Sequence, residues 1–167
     1  MIIILVILII IWLLDDGTKK IYKNGRKFRV IRDRKSEESL LYLEDVMNEL
    51  EKFVLYLTVK KIFSDSKTRL LNYKIKNMIL GERAKNETEV GYTVNKGREI
   101  RVCLRDFNGN LIDKDVVLFI ILHELAHIIT ESYGHTNEFW GNYKQLEESA
   151  KTYGLVKNFD PTISCPM

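Results

Sequence analysis

His123, Glu124 and His127 stand in the order His-Glu-Leu-Ala-His, and the third and last histidine of the chain, His135, follows eight residues later. Two histidines four apart on a helix project from one face and can grip a single Zn²⁺. The ion draws the pKa of its water towards neutrality, Glu124 can take the proton, and hydroxide can attack a polarised carbonyl. A shuffled chain of this composition would contain the pattern only about 0.003 times, so chance explains it poorly. In so apolar a stretch these polar side chains need partners, since an unpartnered buried polar group costs several kcal/mol. A metal is such a partner.

A zinc site open to chemistry takes three protein ligands and leaves the fourth place to water. His135 is the leading third ligand, because Gly134 lets the chain turn sharply and carry it back over the helix. The rivals are carboxylates: Glu131 one turn past His127, and Glu138, Glu147 or Glu148 on the next helix. Cys165 can approach only if the tail folds back. The expectation is one zinc per chain on His123, His127 and His135, with Glu124 as the catalytic base. Tyr92 and Tyr133 are weaker candidates for stabilising an oxyanion. Phe139 and Trp140 read as packing residues, and Cys103, on the polar side of its strand by alternation, is given no role.

Such a site needs a long helix from Lys114 to about Ser132, with Asp113 as its N-cap. Thr136 or Asn137 starts a last helix, with Phe139, Tyr143, Leu146, Ala150 and Tyr153 at helical spacing, and Gly154 closes it. Upstream, Ser36-Glu-Glu opens a helix whose apolar residues run from Leu40 to Leu57. Asp65-Ser66 can cap another, with Leu70, Leu71, Ile75, Met78 and Ile79 inward and Gly81 as its stop. Gly91–Val94 and Arg98–Leu104 flank an Asn95-Lys96-Gly97 turn and read as two antiparallel strands. The second alternates with Ile100, Val102 and Leu104 on one face; as an edge strand it can hold an extended peptide by strand addition.

The chain has 167 residues, 46% of them hydrophobic and 29% charged, with 9 Gly and 2 Pro. That composition excludes a disordered, collagen-like or linker protein and fits one globular domain. Two cysteines are too few for a disulfide scaffold and form no CxxC pair. The net charge of +3 averages two regions: residues 1–36 carry nine Lys/Arg against three Asp, and the rest is mildly acidic.

That basic block follows an apolar run, Met1 to Leu14. As a helix it reaches about 21 Å, short of a hydrocarbon core of about 30 Å. A cleaved signal peptide lacks its basic n-region and small-residue cleavage site, and a buried helix lacks its amphipathic face. The reading taken is a hydrophobic membrane anchor at 1–14, a basic juxtamembrane linker at 15–35 and a catalytic domain at 36–167. Positive-inside logic then makes the protein single-pass with its domain in the cytosol, the basic flank on anionic head groups. A nucleic-acid patch is the competing use of that charge.

The string His123-Glu-Leu-Ala-His127, Gly134-His135, Phe139-Trp140 resembles the WLM (Wss1-like) metalloprotease domain and the related SprT-like proteins. Gly91-Tyr-Thr-Val-Asn95-Lys96-Gly97, with Ile100 and Cys-Leu-Arg105, is similar to the segment these domains carry before the active-site helix. With the Cys165-Pro166-Met167 ending, the pattern is similar to small WLM-like proteins encoded by large DNA viruses. The likeness covers roughly residues 66–167. It implies an α+β zincin-like fold, with a small antiparallel sheet, the HExxH helix and supporting helices, here preceded by an N-terminal hydrophobic helix. It also implies one zinc, His123, His127 and His135 as ligands, Glu124 as base, and peptide-bond hydrolysis. Those families are linked to proteins crosslinked to DNA, so DNA-linked substrates enter by resemblance alone. The function expected is a membrane-tethered zinc metallopeptidase acting on protein or peptide. The alternatives are a membrane-anchored adaptor with a non-catalytic zinc site, and a zincin-fold hydrolase of a non-peptide substrate.

Overall fold

The computed structural model describes residues 15–157. Residues 1–14, the expected anchor, and Cys165 lie outside them. The described chain runs β1 (Thr18–Lys23), β2 (Arg26–Ile31), α1 (Ser36–Val59), α2 (Asp65–Asn77), β3 (Ile79–Glu82), β4 (Gly91–Val94), β5 (Glu99–Val102), α3 (Lys114–Ile129) and α4 (Asn137–Tyr153). The strands form one sheet in the order β1-β2-β3-β5-β4. β1/β2 and β5/β4 pair antiparallel; β2/β3 and β3/β5 pair parallel. The sheet is therefore mixed, not the small antiparallel sheet expected, and its edge strands are β1 and β4, with β5 of Arg98–Leu104 in the interior.

Period-two alternation divides the sheet into two faces. Phe28, Val30, Leu80, Ile100 and Val102 are buried in one core with Leu43, Leu50 and Phe53 of α1 and Val117, Ile121 and Leu125 of α3. Arg29, Glu99 and Arg101 share the opposite face. There Arg29 Nε and Arg101 Nε stand 2.5 and 2.7 Å from Glu99 Oε1. Arg101 Nη1 reaches Asp16 and Glu87, each at 3.0 Å. The Tyr92 hydroxyl donates to Glu87. Gly81 makes room for this network, because a Cβ there would lie 2.8 Å from the Arg29 Cβ.

The stretch read as a basic linker, 15–35, holds two strands of the sheet. Its Asn24-Gly25 turn takes positive φ at both residues, 51° and 76°, which the primed turn of a two-residue hairpin requires. Its charges face acids of the fold: Lys23 to Glu44, Arg26 to Glu51 and Arg29 to Glu99. Ile79–Glu82, expected to end a helix, is strand β3 instead. A short apolar run such as Met78-Ile79-Leu80 has no period that tells helix from strand.

No helix among the described residues is long and apolar enough to cross a membrane. This overturns the expected single-pass placement with a cytosolic domain. α1 has the length, at 24 residues, but is charged along its outer face; α3 has the apolarity but only 16 residues.

Candidate metal centre

α3 starts at its expected cap: the Asp113 carboxylate accepts from the Asp115 amide at 2.8 Å. The helix is apolar nearly all round because the sheet, α2 and α4 pack against it, which leaves His123, Glu124 and His127 as the polar residues of its second half. It ends at Ile129, three residues short of the Ser132 expected. Thr130 is extended, at φ −93° and ψ 128°. Gly134 takes φ +79°, a region that costs glycine nothing, and the chain turns back. Thr136 then caps α4, its hydroxyl accepting from the Phe139 amide at 3.4 Å.

This turn brings His135 to the helix histidines. The Nε2 atoms of His135 and His123 are 3.0 Å apart. One ligand nitrogen from each of His123, His127 and His135 lies within 4.8 Å of the others; among the described residues this is the one group of its kind. The set fits a zinc ion. A Zn–N bond of about 2.0–2.1 Å places two nitrogens on one ion about 3–4 Å apart. A metal binds the neutral imidazole, and the surroundings favour that form. Burial first, then the neighbouring His127 and His135 rings, pushes His123 down to about 4. Burial and then His135 lower His127. His135 is exposed, so the cluster opens to solvent on one side.

Beneath the three imidazoles lies Phe139, fully buried, with ring centroids 4.9, 4.3 and 4.6 Å from His123, His127 and His135. Trp140 stacks on His135 from the side, at 5.5 Å, and is half exposed at the rim. The expected packing role of these two aromatics therefore has a definite object, the histidine cluster.

Glu124 is buried, and burial alone pushes its carboxyl up to about 7. Ile120, Glu124 and Ile128 follow one another at intervals of four on α3, one stripe of the helix. A Cβ on Gly91 would meet Ile120 at 2.3 Å, and one on Gly97 would meet Ile128 at 2.4 Å. Both ends of the stripe thus touch β4 and its turn, so Glu124 occupies the stretch of α3 that this edge strand crosses.

The other candidates fall elsewhere. The Glu138 carboxylate binds the backbone amides of Glu131 and Ser132, each at 3.2 Å, and Glu147 pairs with Lys151 at 2.5 Å. Tyr92 belongs to the ionic network on the far face of the sheet, where burial and its bond to Glu87 push the phenol up. Tyr133 is 87% exposed, with Lys96 Nζ 5.4 Å from its ring centre. Cys103 is buried, not polar-facing, because β5 ends at Val102 and the alternation stops.

The WLM domain family model matches residues 26–161. A protein of Invertebrate iridescent virus 6 is 26% identical over 168 residues, covering 93% of this chain and 91% of its own. A protein of Acanthamoeba polyphaga mimivirus is 32% identical over 126 residues, covering 74% of this chain and 60% of its own. Among solved structures, Wss1 from Saccharomyces cerevisiae superposes with a TM-score of 0.51 at 21% identity, covering 75% of this chain and 89% of that one. That structural likeness concerns the fold.

Proposed function

The chain belongs to the WLM domain family, and on that premise we propose that it is a zinc-dependent metallopeptidase. The observation that carries this reading is the convergence of three imidazoles, two on α3 and an exposed one on the loop after it, with the buried Glu124 next to His123 on α3. His123, His127 and His135 would hold the ion. Bound there, zinc supplies a Lewis acid that polarises a carbonyl and acidifies water. Glu124 takes the proton of the attacking water on a carboxylate oxygen and later delivers it to the nitrogen of the leaving amine. Its raised pKa suits a group that must both accept and return a proton near neutrality. Among the described residues the outer edge of β4 carries no further strand, and it runs past Glu124, so it is where an extended substrate adds, main chain to main chain.

Elemental mass spectrometry on the full chain tests the metal. One zinc per chain, weakened or lost in H135A, is the expected result. E124Q is expected to keep the metal and to lose peptide hydrolysis by about 10²- to 10⁴-fold. Undiminished hydrolysis in E124Q would sink the mechanism.

A further inference from the structure

His135 sits in residues 130–136, between α3 and α4, a segment without regular structure of its own. Free, such a segment would sample many positions, and a ligand on it would lose its grip on a metal. One carboxylate ties it down. Glu138 Oε1 accepts from the Glu131 amide at 3.2 Å; Oε2 accepts from the Ser132 amide at 3.2 Å and the Ser132 hydroxyl at 3.0 Å. A carboxylate in the first turn of a helix ordinarily serves that helix's own free amides. Here Thr136 caps α4, and Glu138 reaches backwards into the loop instead.

A second tie shares the same cation. Lys67 of α2 stands 3.5 Å from Glu138 Oε1 and donates to Asn142 Oδ1 at 2.9 Å. Lysine only donates, so the orientation of the Asn142 amide is fixed, and its Nδ2 donates to Thr130 Oγ1 at 2.9 Å. The Thr130 hydroxyl in turn donates to the carbonyl of Ala126, the residue before His127. Lys67 thus braces both sides of the loop.

We propose that Glu138 is the positioning residue of His135: by binding the Glu131 and Ser132 amides it holds the third imidazole in place against the two on α3. The proposal rests on the zinc reading above. Its recognition element is the loop backbone, so it acts on metal affinity before it acts on turnover.

The test is zinc affinity of the full chain by competition with a chromophoric chelator, for wild type, E138A, E138Q and H135A. Visible absorption of the cobalt-substituted proteins and thermal unfolding in excess chelator accompany it. E138A is expected to weaken zinc by roughly 10- to 100-fold, the usual loss when a group orienting a ligand is removed. Its cobalt bands should move towards those of H135A, while the chelator-stripped protein unfolds as wild type does. E138Q should recover part of the affinity, since its amide oxygen still accepts from one loop amide. Equal affinity in E138A and wild type would overturn the proposal alone. So would a stripped E138A that unfolds early, which would make Glu138 a fold residue. A wild type that binds no zinc would overturn the metallopeptidase reading itself.

Discussion

The Phe139 ring packs 4.3 Å from the His127 imidazole, centre to centre and tilted by 33°, and it is the only side chain in ring contact with all three histidines among the described residues. Two consequences follow for F139A. Removing so large a buried ring should cost about 3–5 kcal/mol, read by urea unfolding in excess chelator. The histidines, left without a floor, should also bind zinc more weakly than in F139L, which keeps part of the volume. Equal zinc affinity in F139A and F139L would mean that the ring serves the core alone.

A chain shortened to begin at Ser36 removes β1 and β2. β3 then loses β2, one of its two parallel partners, and presents an open edge between Ile79 and Gly81. Glu99 loses Arg29, and Phe28 and Val30 leave the core. The expected outcome is insoluble protein, or soluble protein without a cooperative thermal transition by circular dichroism. A shortened chain that melts like the full one would show that the hairpin is dispensable.

G91A and G97A each set a methyl group against α3, within 2.3 Å of Ile120 and 2.4 Å of Ile128. Gly97 also has φ +79°, where any side chain is strained. Each substitution should destabilise by about 1–3 kcal/mol, the range for overfilling a packed contact. With β4 displaced from Glu124, turnover on an extended peptide should fall while zinc content stays at one. Unchanged turnover in both variants would detach β4 from substrate binding.

Much of the candidate site's geometry was legible because its residues lie close together in sequence. His123, Glu124 and His127 need only a helix, and Gly134 and Thr136 are short-range signals for the turn and the cap. Glu138 reads as a candidate ligand because carboxylates bind metals; that it faces backbone amides depends on a loop path no spacing encodes. The hairpin did carry a signal, Asn24-Gly25, but the lysines and arginines around it read as a solvated linker. Their acidic partners, Glu44, Glu51 and Glu99, stand far along the chain. The parallel pairing of β2 with β3 is likewise non-local, and no turn residue announces it.

The ion pairs on the far face of the sheet also bear on how a polypeptide would dock under the proposed function. They lead from Asp16, just ahead of β1, through Arg101 to Glu87 in the loop before β4 and on to Tyr92 of β4. They form a girder across the strands, so the two margins of the sheet share any load placed on either. A polypeptide laid along the β4 margin would press against a surface stiffened from behind, and little of the docking energy would go into bending it.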